Sequence, residues 1–141
     1  MAGTRRTALD TSLRALHHRD LSMAELERRL AERGYDERER RDALATLRRT
    51  GLLDDERFAV ARATLLAARG AGNALIRHDL ERAGVPRELA DAALGSLEDE
   101  CVRARRIVER RGPGPKTARY LGGKGFAEEA IATCAARDSE G

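Results

Sequence analysis

The chain has 141 residues, of which 36% are charged and only 3% aromatic, and its formal net charge is +3. This length suits one domain or a short array of repeats, and the composition favours helices with long solvated faces and a core of leucine, alanine, valine and isoleucine. The alternating charge signs exclude a disordered chain, and no apolar run approaches the roughly 20 residues that a membrane helix needs.

Helical periodicity predicts nine helices and no strand, because no stretch alternates with a period of two. The first helix, about Thr7 to Arg19, is expected to turn Leu9, Leu13 and Leu16 inward. Gly112–Pro115 is the clearest break in the chain. The predicted helices cover about 7–19, 22–33, 36–50, 54–69, 73–83, 86–97, 99–111, 116–122 and 127–137.

The second helix has the strongest local signals. Ser22 and Glu25 fit a capping box, in which each side chain accepts a hydrogen bond from the other residue's backbone. Leu26 and Leu30 then fall on one face, and Gly34 supplies the left-handed residue that ends the helix at low cost. Asp36 with Glu39 predicts the cap of the third helix, and Asp54 or Asp55 that of the fourth, which should carry Phe58, Ala61, Leu65 and Leu66 inward.

The same pattern recurs around three glycines. Gly34, Gly84 and Gly125 are each followed directly by an apolar residue and preceded by a leucine four positions upstream. The sequence therefore predicts an all-α fold of three tandem three-helix repeats, with bounds 1–53, 54–97 and 98–141. Since one such unit buries little by itself, the repeats are expected to stack into an elongated, curved array.

Catalytic chemistry is not indicated, and no catalytic, cofactor-binding or metal residue is predicted. His17, His18 and His78 lack metal-ligand spacing and are interpreted as surface residues. The 112–117 loop is not a phosphate loop, because Pro115 has no N–H to donate. The two cysteines, Cys101 and Cys134, form no ligand motif and are expected to be reduced thiols of a cytoplasmic protein.

The basic residues form two clusters. The first lies on the second helix, and the second, which we call the C-terminal stripe, begins on the seventh helix and contains one acid, Glu109. Such a row of cations is what contact with phosphates or an acidic protein surface requires, whereas the competing interpretation is a solvated helix surface. The first cluster is Arg28, Arg29 and Arg33; the C-terminal stripe is Arg103, Arg106, Arg110, Arg111, Lys116, Arg119 and Lys124.

Two segments resemble the RecX regulatory proteins of bacteria. They are Ser22-x-x-Glu-Leu-x-x-Arg-Leu-x-x-Arg-Gly-Tyr35 and Gly51-Leu-Leu-Asp-Asp-x-x-Phe-Ala59, and weaker likeness continues through Gly84 and Gly125. The resemblance implies an all-helical monomer of tandem three-helix repeats that is not an enzyme, needs no cofactor and contacts no membrane.

The resemblance also implies a partner, the RecA recombinase filament. Family members lodge in the filament groove, limit its growth and repress strand exchange, ATPase and coprotease activity, and some also bind DNA. We expect the two basic clusters to be the contact surfaces, so that replacing Arg103, Arg106 and Arg110 by glutamate should abolish inhibition. The alternative from the residues alone is an autonomous, sequence-independent DNA-binding helical module, although no residue set suited to reading bases is evident.

Overall fold

The computed structural model describes the backbone of residues 5–135 and the side chains of residues 5–132. This part of the chain contains nine α-helices and no strand, which confirms the predicted fold class. The side chain of Cys134, which is expected from the sequence to be a reduced thiol, lies outside the described residues. The helices are α1 Ala8–His18, α2 Met23–Glu32, α3 Glu37–Arg49, α4 Asp55–Ala68, α5 Asn73–Arg82, α6 Arg87–Gly95, α7 Glu100–Arg111, α8 Pro115–Gly123 and α9 Glu128–Ala135.

Among the described residues, 5–58 together with Ala83–Val85 form one compact unit. In it α1 packs against α2 and α3, and α2 packs against α3. Leucine side chains that are no more than 1% exposed occupy its centre, so hydrophobic burial is its main source of stability. The core residues are Ala8, Ala15, Leu21, Leu26, Leu30, Tyr35, Ala43, Leu47 and Leu53.

The predicted helix caps of this unit are confirmed. Ser22 Oγ accepts from the Glu25 N–H at 3.1 Å, and the Glu25 carboxylate accepts from the Ser22 N–H at 3.0 Å. Asp36 accepts from the Glu39 N–H at 2.8 Å. Each cap satisfies backbone donors that have no partner within the helix.

The predicted inward face of α1 is partly wrong. Leu13 is 40% exposed, whereas Thr11 and Ser12 are buried. Both buried hydroxyls have partners, since Ser12 donates to the Ala8 carbonyl at 2.7 Å and Thr11 lies 2.7 Å from the Tyr35 hydroxyl. These hydrogen bonds offset the cost of burying polar groups, so small polar residues can occupy part of the buried face of α1.

A second compact unit comprises residues 59–82 and 86–135 of the described chain. Here α7 packs against α8 and α9, and α5 packs against α6. In α4, Ala61 and Leu65 are exposed rather than inward, while Ala59 and Ala63 are completely buried. The apolar residues of α4 are distributed over all faces of the helix, so its sequence does not indicate which face is buried. One core cluster of this unit is Ala104, Ile107, Leu121, Phe126 and Ala130.

The three glycines of the predicted pattern share one conformation. Their φ values are 83° at Gly34, 78° at Gly84 and 87° at Gly125. Residues that carry a Cβ rarely adopt φ values in this left-handed region. The leucine four positions before each glycine is no more than 1% exposed, and the residue after it no more than 6%. The in-register agreement predicted from the sequence is therefore confirmed in three dimensions. The flanking residues are Leu30, Leu80 and Leu121, then Tyr35, Val85 and Phe126.

Candidate partner-binding surface

The basic cluster on α2 is largely solvent-facing. Arg28 and Arg33 are exposed and Arg29 is half-buried. None of the three side chains forms a hydrogen bond or ion pair with another of the described residues. The structure therefore brings the predicted α2 cluster together as an unneutralised surface on the first unit.

Arg103 does not belong to an exposed stripe, so this part of the sequence interpretation is wrong. Its side chain is only 7% exposed. Nε donates to the Glu98 carbonyl and Nη1 to the Ala71 carbonyl, both at 2.9 Å, and Nη2 donates to Asn73 Oδ1. The guanidinium carbon lies 5.9 Å from the centre of the Phe126 ring. Arg103 is thus a buried connector, and its place in a periodic row of arginines did not reveal this.

Two opposing electrostatic effects act on the buried Arg103 guanidinium. Burial lowers its pKa, because removal from water disfavours the charged form, while Glu100, Asp99 and Glu98 oppose that shift. An arginine in such a setting keeps its charge, since the guanidinium is the most basic of the protein side chains. These three acids therefore serve the fold by stabilising a cation under the surface.

Arg106 is exposed but already paired. Its Nη2 lies 2.5 and 3.0 Å from the two carboxylate oxygens of Glu98. More than 40% of each side chain is solvent-accessible, so the pair adds little to stability. It does neutralise Arg106 locally, which makes this residue a weaker candidate for partner contact than its neighbours.

Arg110 and Arg111 end α7 and point toward a common groove. Arg110 is exposed, and the Arg111 guanidinium carbon lies 3.7 Å from the centre of the Tyr120 ring. This cation–π contact holds the Arg111 side chain in one position. The groove has a volume of about 280 Å³ and is lined by Ala68, Arg69, Gly70, Ile107, Arg110, Arg111 and Tyr120; we call it the cationic groove.

The remaining members of the C-terminal stripe lie on or next to α8. Lys116 and Arg119 are exposed and form no hydrogen bond or ion pair with a described residue, and Lys124 is half-buried. Lys124 Cε lies 3.8 Å from the position that a Cβ on Gly70 would take. This places Lys124 beside the cationic groove, whereas Lys116 and Arg119 do not line it.

Arg69 is a member of this surface that sequence reasoning missed. It follows the last residue of α4 and lines the groove together with Arg110 and Arg111. A lone arginine before Gly70 resembles an ordinary helix end, where a cation complements the helix dipole. Its relation to α7 depends on tertiary packing, and no local pattern reports that.

The described residues contain no group of three or more side chains suited to holding a metal ion. His17, His18 and His78 are exposed, as interpreted from the sequence. The 112–117 loop, which the sequence excludes as a phosphate loop, has an internal hydrogen bond in which Thr117 Oγ1 donates to the Gly112 carbonyl at 2.6 Å. Within residues 5–135, no helix has the length and apolar character required to cross a bilayer.

Relatives with this pattern are known. A protein of Halorhodospira halophila, "Regulatory protein RecX", is 33% identical over 93% of this chain and 88% of its own length. The chain belongs to the RecX family. The "Regulatory protein RecX" of Treponema pallidum is 34% identical over 92% of this chain and 84% of its own length.

Two further comparisons agree with RecX membership. A family model described as "RecX, second three-helix domain" matches residues 54–94. The crystal structure of RecX from Lactobacillus salivarius superposes with a TM-score of 0.80 at 18% identity, covering 92% of this chain and 93% of that one. At this identity the match shows the fold alone. RecX proteins are regulatory and non-enzymatic, in agreement with the sequence analysis.

Proposed function

We propose that this RecX-family protein binds the filament of the RecA recombinase, occupies the filament groove and inhibits its assembly. Strand exchange, ATPase and coprotease activity would fall together, because all three depend on the assembled filament. Family membership supports the proposal. The observation that carries it is an exposed cationic surface on the second unit, in which Lys116 and Arg119 have no neutralising partner among the described residues.

The proposed mechanism is steric and electrostatic. Exposed, unpaired arginines and lysines raise the rate of encounter with an acidic surface and orient the approach. The exposed α2 cluster of Arg28 and Arg33 supplies a second contact on the first unit. Bound at two places, the protein would block the addition of further recombinase subunits without any covalent step.

The organisation that we propose for this role is three tandem repeats, 1–53, 54–97 and 98–141, in a monomer acting in the cytoplasm. A repeat array offers separate surfaces to successive subunits of a helical filament. The glycine register of the described residues supports a repeated unit, since Gly34, Gly84 and Gly125 have similar φ values and the same spacing to buried flanking residues.

Charge reversal on α8 tests the proposal. We expect the double variant Lys116→Glu, Arg119→Glu to need at least about tenfold more protein to inhibit RecA-dependent strand exchange, because two favourable contacts become repulsive. The fold should survive, since both side chains are exposed and the acid at position 116, in the first turn of α8, suits the helix dipole. Circular dichroism verifies this point before inhibition is measured.

The matched control is Arg48→Glu, Arg49→Glu. These two exposed arginines end α3 and belong to neither predicted cluster. Wild-type inhibition by the α8 variant, or an equal loss in the α3 control, would show that α8 is not a contact surface. The variant Arg28→Glu, Arg33→Glu examines the α2 cluster in the same assay.

A further inference from the structure

Two helix ends meet at the cationic groove. The end of α4 contributes Arg69 and Gly70, and the last turn of α7 contributes Arg110 and Arg111. Each helix end attracts a cation through the helix dipole, which accounts for one arginine at each end. It does not account for three guanidinium groups that line one shared concavity.

The groove is open because a glycine forms part of its lining. A Cβ on Gly70 would lie 3.8 Å from Lys124 Cε, 3.9 Å from Tyr120 Oη and 4.0 Å from Ile107 Cδ1. A longer side chain at this position would fill the space between them. Gly70 also has a φ of 89°, so the backbone itself favours glycine here.

The lining carries positive charge without compensation. No carboxylate is among the lining residues, and neither Arg69 nor Arg110 forms an ion pair with a described residue. Other described arginines are paired, such as Arg77 with Asp91 and Arg40 with Glu27. Clustered like charges repel one another, so an anion that enters the groove relieves that repulsion as well as forming its own contacts.

We propose that the cationic groove is a binding site for a phosphate group. Arg69 and Arg110 face the phosphate, and Arg111, fixed by its contact with Tyr120, supplies a third guanidinium. Arginine suits phosphate because its planar fork donates two parallel hydrogen bonds to a pair of oxygens. A volume of about 280 Å³ lies just below the roughly 300–1,000 Å³ of drug-sized ligand sites, which suits a smaller ligand such as a phosphate with its attached sugar.

The phosphate can come from a nucleic-acid backbone or from a nucleotide, which share this chemistry. The inference deepens the proposed function, because a recombinase filament carries both DNA and a nucleotide. It is tested without recombinase, so that its failure would leave the inhibition proposal standing. The variant is Arg69→Gln, Arg110→Gln, which retains Arg111 and its contact with Tyr120.

The experiment measures fluorescence anisotropy of a labelled oligothymidylate over a salt series, with ATP and inorganic pyrophosphate as competitors. We expect the variant to bind at least about tenfold more weakly. Its slope of log affinity against log salt should be shallower by about 0.7, because the groove holds one backbone phosphate and each single-strand phosphate contact contributes about 0.7. The matched control, Arg48→Gln, Arg49→Gln, removes the same charge from the last turn of α3 and should change neither quantity comparably.

The competitors identify the source of the phosphate. Oligothymidylate binding that needs Arg69 and Arg110 and resists ATP indicates a backbone phosphate, whereas competition by ATP or direct ATP binding lost in the variant indicates a nucleotide. The proposal is overturned if variant and wild type bind all three probes equally, or if the control loses as much as the variant. It is also overturned if an acidic peptide binds the groove while the phosphate probes do not.

Discussion

Two regions of the molecule solve the same structural problem with different chemistry. In each, the start of a helix meets a glycine turn from farther along the chain. The first turn contact, in the first unit, joins Ser22 and Met23 to Asp55, Ala83 and Gly84. Asp55 accepts from the Met23 N–H at 2.8 Å, and Ser22 Oγ donates to the Ala83 carbonyl.

The second turn contact, in the second unit, joins Gly72 and Asn73 to Glu100, Lys124 and Gly125. Glu100 accepts from the Asn73 N–H at 2.6 Å, the position that Met23 holds in the first contact. The Gly72 N–H donates to the Lys124 carbonyl at 2.7 Å. A backbone N–H therefore takes the place of the Ser22 hydroxyl.

The two contacts differ in the kind of atom that faces the glycine. At Gly84 a Cβ would meet the methyl group of Ala24 at 2.3 Å, whereas at Gly125 it would meet the backbone nitrogen of Leu75 at 2.6 Å. A methyl group can be removed by substitution, but a backbone atom cannot. The glycine of the first contact approaches a side chain and that of the second approaches main chain, so Gly125 should tolerate substitution less than Gly84.

The largest effect is expected from Gly125→Ala. The left-handed backbone costs an L residue about 1–2 kcal/mol, and displacement of the Leu75 backbone should bring the total loss of unfolding free energy to about 3 kcal/mol or more. The measurement is the urea-unfolding midpoint and slope of the full chain.

Gly51→Ala isolates the backbone part of this cost. Gly51 has a φ of 79°, and a Cβ there meets nothing within 4 Å. The unfolding free energy lost in Gly51→Ala should therefore stay at about 1–2 kcal/mol. Gly84→Ala should fall between the two and recover partly when Ala24→Gly removes the opposing methyl. Equal losses at Gly51 and Gly125 would mean that main-chain proximity is not what distinguishes the second contact.

The next largest effect concerns the helix that carries the acid of each contact, which is α4 for Asp55 and α7 for Glu100. Phe58 and Arg103 both lie three residues after the acid that receives the helix start, and both are buried. Arg103→Ala should cost about 3 kcal/mol, because it leaves the buried Ala71 carbonyl and Asn73 Oδ1 without their donor. Urea unfolding again supplies the measurement.

Arg106→Ala is the matched comparison on the same helix. Its exposed pair with Glu98 predicts a loss of about 0–1 kcal/mol. Arg103→Lys should recover only part of the stability, since one ammonium cannot reach the three acceptors of the guanidinium fork. If Arg103→Ala proved as mild as Arg106→Ala, the hydrogen bonds of Arg103 would be dispensable to the second contact.

Much of the fold could be predicted from the sequence, because its signals are local. The Ser22–Glu25 capping box depends on residues within one helical turn, and the left-handed glycines follow from backbone sterics at single positions. The burial of Leu30, Leu80 and Leu121 follows from their fixed spacing to those glycines. Signals of this kind need no knowledge of tertiary packing.

The candidate site was less accessible to sequence reasoning. Arg103, Arg106 and Arg110 look alike in the sequence, yet one is buried, one is paired with Glu98 and one is exposed beside the groove. Arg69 joins the groove only through packing between helices distant in sequence. A charge pattern locates a basic segment, but the partners that neutralise or bury each cation come from other elements of the fold.

The smallest expected loss of stability concerns the acids of the two contacts, Asp55 in the first and Glu100 in the second. Glu100 caps two helix starts, since its other oxygen accepts from the Ala127 N–H at 3.1 Å. Ala127 lies two residues after Gly125, whereas the residue two positions after Gly84 in the sequence is Pro86, which has no N–H. Glu100→Gln keeps one acceptor and turns an NH₂ toward the second donor, so we expect a loss of about 1–2 kcal/mol. Asp55→Asn keeps the acceptor that its one donor needs and should lose about 0.5 kcal/mol.

A double-mutant cycle with Ala127→Pro tests this explanation directly. The substitution puts a proline two residues after Gly125, as Pro86 follows Gly84 in the sequence, and removes the second donor. Glu100→Gln should then cost no more than Asp55→Asn. The coupling between positions 100 and 127, read from urea unfolding of the four proteins, should be about 1 kcal/mol. A coupling near zero would show that Glu100 stabilises the start of α5 alone, and the two contacts would then differ only in their backbone approach.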